Sequence, residues 1–221
     1  MSRKVLFLTS TVGMKYLMGL SGFIWVGFVM AHMLGNLLLF IGPDAYNEYS
    51  HTLTSGKIIF IVEAALGLSI FLHIFTGIRL TIKNKNAKGT PYHSISSGEK
   101  KVSLASRTMI FQGSVILFFI INHLLTFKFG TYYETNLNGM VVRDIHRLVV
   151  EIFSKPSYVI GYIFSLLILI THLSHGVGSM LQSFGLNSRA HSKRIKFISL
   201  VYALIVGGGF IAQPIYVYFL N

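Results

Sequence analysis

Four histidines, His32, His73, His123 and His172, each stand well inside a long run of apolar residues. An ionisable side chain in such surroundings is costly unless it has a partner, and it marks function. The chain holds nine histidines in 221 residues and no cysteine. Without thiols there are no disulfides, thiolate metal sites or cysteine-ligated iron–sulfur clusters. Single imidazoles in a membrane usually hydrogen-bond or relay protons. Paired imidazoles on facing helices can do more: two at one level can hold one iron from both sides of a porphyrin.

The elements that position them follow from the charge pattern. The chain is 52% hydrophobic and 12% charged, with mean hydropathy +0.63. A water-soluble domain carries about 25% charged residues, so an ordinary soluble enzyme is excluded. A disordered chain is excluded as well, because the apolar content is too high. Tyr16–Pro43, Thr108–Phe127, Pro156–Ser188 and Phe197–Asn221 contain no Asp, Glu, Lys or Arg. Ala64–Ile78 is a shorter run, extended by residues 57–62 across one acid, Glu63. A membrane-crossing helix needs about 20 mostly apolar residues. The expectation is therefore an all-α membrane protein forming one domain over 1–221. Its five spans fall near 16–41, 58–82, 108–129, 157–182 and 196–219, with the first four making a histidine-lined bundle. Barrel strands would alternate in polarity, and Ile116–Phe119 does not. Arg3 and Lys4 before Val5–Leu8 look like a signal peptide, but the apolar run is short and Lys15 ends it. It reads as a retained segment forming an interfacial turn.

Charge also sets orientation. Segment 1–15, loop two–three and loop four–five hold 14 of the 19 basic residues with one acid, Glu99. The opposite side holds five basic residues (Lys57, Lys128, Arg143, Arg147, Lys155) and five acids (Asp44, Glu48, Glu134, Asp144, Glu151). The positive-inside rule places the N-terminus in the cytoplasm and the C-terminus outside. The +12 formal charge is then topology and lipid headgroups, not nucleic-acid binding. Loop two–three around 84–98 reads as irregular. In loop three–four, Val142, Ile145, Val149 and Ile152 recur at helical spacing, predicting an outer-surface helix over 141–153.

Each of the four histidines lies about 15 residues into its span, roughly 22–24 Å along a helix. Neighbouring spans run in opposite directions. His32 and His123 therefore fall toward the outer leaflet, and His73 and His172 toward the cytoplasm. Two pairs at two depths predict two stacked haems. Gly35, Gly77 and Gly176 follow His32, His73 and His172 by three or four residues. That offset puts bare backbone on the histidine's face, as a flat macrocycle would need. His175, three residues past His172, is the alternative ligand.

The stretches "GLSGFIWVGFVMAHMLGNLLLFIGPDAYNEYSH" (19–51), "VEAALGLSIFLHIFTGIRL" (62–80), "VVEIFSKPSYVIGY" (149–162) and "THLSHGVGSMLQSFGLN" (171–187) carry a family resemblance. The chain resembles the cytochrome b558 subunit of succinate dehydrogenase and fumarate reductase, a single-chain, five-helix, two-haem anchor. Span three is a looser match, carried by His123 and its depth. The resemblance implies two haem b groups, the distal one ligated by His32 and His123 and the proximal one by His73 and His172. It also implies a flavoprotein subunit and an iron–sulfur subunit on the cytoplasmic face, with the succinate and fumarate site on another chain. Electrons would pass through the haems to membrane quinone, menaquinone by family habit, near the distal haem. The setting would be the respiratory chain of a bacterial cytoplasmic membrane.

Quinone chemistry needs proton donors, and the outer side supplies Glu48, His51, Asp144 and His146, with Glu48 and His51 the chosen candidates. Glu63, inside span two, is a candidate proton conduit, or a carboxylate paired with a neighbouring helix or Lys57. Arg79, past His73, could meet a proximal propionate or snorkel to headgroups. His93 and His191 sit in basic loops. Trp25 and Ser21 receive no role. Two rival functions use the same histidines. A histidine-relay transporter or proton channel predicts no chromophore. A dihaem anchor of another quinone-linked dehydrogenase predicts the same colour and a different soluble partner.

Overall fold

A computed structural model describes residues 7, 10–86, 107–186, 188 and 190–220. His93, Glu99, the 84–98 loop beyond Asn86 and the Arg3–Lys4 segment fall outside them. Among the described residues, five helices are long and apolar enough to cross a membrane. They are α1 (Thr11–Asn36), α3 (Ile58–Asn86), α4 (Met109–His123), α6 (Pro156–Ser183) and α7 (Ser192–Leu220). Helix α1 continues through a 3-10 turn, Leu37–Phe40, and α4 through a π-helical turn, Leu124–Lys128.

Local chemistry sets the ends. Ser10 caps α1, its hydroxyl accepting from the Gly13 N–H at 3.0 Å. Gly42 takes φ +137°, closed to most side chains, and Pro43 then starts the short α2 (Pro43–Thr54). Pro156 starts α6 in the same way. The burial pattern is inside-out relative to a soluble protein. Phe60, Ile61, Phe71 and Phe118 are exposed. The buried positions include small polar residues, Ser21, Ser69, Thr76 and Ser199. Small and hydroxylated residues let membrane helices approach closely, while large apolar ones meet lipid.

Helix α1 packs on α3 and α6, α4 on α6, and α7 along α6 and α1; α3 and α4 touch only sparingly. Two clusters of buried residues hold this together. One joins α1, α6 and α7 through Met33, Leu173, Ala203 and Val206. There the Tyr202 hydroxyl donates to the Val26 carbonyl at 2.5 Å. The other lies at one end of the bundle, around Leu39, Tyr46, Leu148, Phe153 and Tyr162.

That end differs from the sequence expectation. Residues 140–143 are not helical. They form strand β2 (Met140–Arg143), paired antiparallel with β1 (Glu134–Leu137) in the register Glu134↔Arg143. Asn138 and Gly139, at φ +52° and +84°, make the two-residue turn. Val142 is buried, but from a strand. The surface helix α5 (Ile145–Phe153) begins only after Asp144, whose carboxylate accepts from the Arg147 N–H at 3.0 Å. Helix α2 was not anticipated. Asn47 clamps it to α5, donating to Asp144 at 2.9 Å and accepting from the His146 N–H at 3.0 Å. Arg143 donates to the Phe127, Lys128 and Thr131 carbonyls, tying the hairpin to the π-helical turn.

Candidate functional site

Four helices bring the four histidines together as two pairs. Near the hairpin end, the rings of His32 on α1 and His123 on α4 have centres 5.8 Å apart at 84°. Deeper in the bundle, His73 on α3 and His172 on α6 have ring centres 6.4 Å apart at 64°. Ring centres lie about 3 Å from a metal bonded at about 2 Å, so opposed imidazoles on one metal stand about 6 Å apart. Both pairs fit that separation.

Two helices measure the depth between the pairs independently. A Cβ on Gly22 of α1 would lie 3.5 Å from His73 Cε1, and His32 follows ten residues later. On α6, Tyr162 meets His123, and His172 follows ten residues later. Ten helical residues rise about 15 Å.

The ring nitrogens are also informative. The Ser21 hydroxyl lies 3.2 Å from His73 Nδ1, and the Tyr162 hydroxyl 3.2 Å from His123 Nδ1. Neither of these bonds uses Nε2. Metal-bound histidines commonly bond a second group through the other nitrogen in this manner. His172 Nδ1 is buried with no hydrogen-bond partner among the described residues. An orphaned buried polar atom is costly. Asn36 Nδ2 lies 3.2 Å from His32 Nδ1 and 2.7 Å from the His32 carbonyl. The walls are aromatic: Phe28 stacks on His32 at 5.4 Å and 8°, and Phe119 and Phe127 flank His123. Helix α7 takes part too, since Phe210 lies 5.7 Å from His32. Among the described residues no cluster of three or more His, Asp or Glu could hold a bare metal ion.

The remaining sequence candidates are placed as follows. The ring meeting His73 belongs to His172; His175 Nε2 instead pairs with the Ser179 hydroxyl at 3.0 Å. Arg79 is exposed, with its guanidinium 5.0 Å over the Phe75 ring. Glu63 forms an ion pair with Lys128, at the end of the π-helical turn. Glu48 is exposed on α2 and His51 is half-buried in its last turn. From α2, Tyr46 reaches Asn36 beside His32, its hydroxyl donating to Asn36 Oδ1 at 2.5 Å. Burial pushes that phenol above its ordinary range, keeping it a donor. His146 stacks edge-on against Tyr46 at 6.3 Å, and burial lowers its pKa. His191 meets Ser188 at 2.8 Å, away from both pairs.

The glycine offsets resolve differently from expectation. A Cβ on Gly35 would strike the Tyr49 ring, so that gap is filled by α2. A Cβ on Gly77 would lie 3.2 Å from Met18. Only Gly176 of the three faces open space, with no atom within 4 Å of a Cβ.

An open recess of about 350 Å³ at the hairpin end is lined by Asn122, Thr126, Glu151, Lys155 and Tyr158 among others. Glu151 accepts from the Tyr133 hydroxyl at 2.7 Å and from Lys155 at 2.9 Å. These two bonds hold its carboxyl below the usual range. The i,i+4 spacing of Glu151 and Lys155 was the available signal.

The chain matches no family model, no curated protein and no solved structure.

Proposed function

We propose that this protein is a membrane cytochrome b carrying two haems. The observation that carries the reading is the meeting of His32 with His123 and of His73 with His172, at separations suited to opposed ligation and about 15 Å apart in depth. Each haem, when bound, supplies a one-electron carrier whose potential its ligands and surroundings tune. The chain's own residues do the rest. Four helices hold the rings, hydroxyls orient two of them, and Phe28, Phe119, Phe127 and Phe210 keep the upper site apolar.

Within that class, the sequence resemblance supports one member: the anchor of a succinate:quinone oxidoreductase, either succinate dehydrogenase or fumarate reductase. The basic end of the bundle would face the cytoplasm and carry the iron–sulfur and flavoprotein subunits. Quinone, menaquinone by resemblance, would react at the hairpin end. The recess at the hairpin end suits a quinone head, with amide, hydroxyl and ammonium donors for its carbonyl oxygens. The test is affinity purification from detergent-solubilised membranes of the native host. The expected result is copurification of a flavoprotein and an iron–sulfur chain, with succinate-dependent reduction of a menaquinone analogue. Copurification with a hydrogenase or formate dehydrogenase would assign the anchor to another complex.

A further inference from the structure

Ser21 is 3% exposed, midway along α1, and is one of the two hydroxyls set against the histidine rings. Its hydroxyl oxygen lies 3.1 Å from the Met18 carbonyl and 3.2 Å from His73 Nδ1. A hydroxyl has one proton to give. In the structure the Ser21 hydroxyl gives it to the Met18 carbonyl. Toward His73 the Ser21 oxygen is then an acceptor, and Nδ1 must carry the ring proton. A neutral imidazole protonated at Nδ1 has its lone pair on Nε2.

Two further contacts keep this arrangement in place. The Ser69 hydroxyl donates to the Ser21 carbonyl at 3.3 Å, fixing α3 against α1 at this level. The His73 ring lies against the α1 backbone at Gly22, where a Cβ would stand in ordinary van der Waals contact with Cε1 at 3.5 Å. We propose that Ser21 is the positioning residue of His73, holding its ring as the tautomer that presents Nε2 for ligation. The tautomer is assigned from the donation of Ser21 to Met18 and does not depend on a haem; its consequence for iron rests on the function proposed above. An acceptor on Nδ1 raises the basicity of the ligating nitrogen, which favours the oxidised metal.

The experiment is a redox titration of the purified complex, wild type against Ser21→Ala and Ser21→Thr, followed by absorbance. Ser21→Ala is expected to keep both haems and raise the midpoint potential of one, leaving the other in place. Ser21→Thr, which keeps the acceptor, is expected to restore the wild-type value. A loss of packing alone would not be rescued in potential by threonine. If Ser21→Ala does not accumulate, Ser21→Cys, similar in size and a poor acceptor, replaces it. Both midpoint potentials unchanged in the variant would overturn the role of Ser21 while leaving the two-haem reading intact. A colourless wild type would instead overturn the two-haem reading. In that case nitrogen NMR of the His73 ring decides: Nδ1–H in wild type and its loss in Ser21→Ala support the proposal, and Nε2–H in wild type overturns it.

Discussion

The Tyr162 hydroxyl lies 3.2 Å from Nδ1 of His123, ten residues before His172 on the same helix. Helix α6 therefore supports both histidine pairs, one through a hydrogen bond and one through a ring. Helix α1 does the same with His32 above and Ser21 below. These two adjacent helices are the frame, and α3 and α4 each bring one histidine to it.

The lower pair distinguishes His172 from its neighbour. His172→Ala is expected to remove one haem of two, measured by pyridine haemochrome against protein. His175→Ala, which removes the contact to Ser179, is expected to retain both. The reverse pattern would move the ligand to His175.

Gly35 faces Tyr49, so Gly35→Ala puts a methyl group into an occupied position. Overpacking of this kind costs about 1–3 kcal/mol. The detergent-solubilised protein is expected to melt earlier. Tyr49→Ala in the same chain should recover much of the loss, because the two changes share one space. An additive double variant would show that Gly35 serves something other than Tyr49.

Glu151 gives the hairpin end a pH dependence. Bonds from Tyr133 and Lys155 lower its pKa below 4.5 in the folded chain. Its contribution is thus present above pH 4.5 and lost as pH falls through the depressed value. The wild-type melting temperature should fall more steeply below pH 4.5 than that of Glu151→Gln. Parallel curves would remove this contribution.

Glu63 and Lys128 pair across α3 and the end of the π-helical turn, with side chains 39% and 40% exposed. Both stand within apolar spans, where a charge without a partner is costly, so Glu63→Gln, which strands Lys128, is expected to lower the melting temperature. Quinone turnover separates a strut from a proton entry. The ion pair favours the strut, and turnover is expected to stay at the wild-type level. A large loss of turnover with unchanged haem content would make Glu63 the proton route.

The long helices and the four histidines were legible because hydrocarbon excludes charge. Runs without Asp, Glu, Lys or Arg mark the spans, and an imidazole within one stands out. The hairpin was hidden by a coincidence of period. Val142, Ile145, Val149 and Ile152 fit a helix, yet Val142 belongs to β2. Asn138–Gly139 was the signal that could have corrected this. The roles of Gly35 and Ser21 were beyond reach for another reason. Periodicity says which face a residue occupies, not what fills the space opposite. Tyr49 reaches Gly35 from α2, whose helix had no apolar run to announce it. His73 reaches Ser21 from 52 positions away in the chain.

The central claim is that His32 with His123, and His73 with His172, each hold one haem. The most direct measurement is a dithionite-reduced minus oxidised spectrum of the purified protein, with haem counted per chain. The account predicts a low-spin b-type spectrum and two haems per chain, falling to one when either pair loses a member. A colourless protein, or a full haem complement in a variant lacking both His32 and His123, would contradict it.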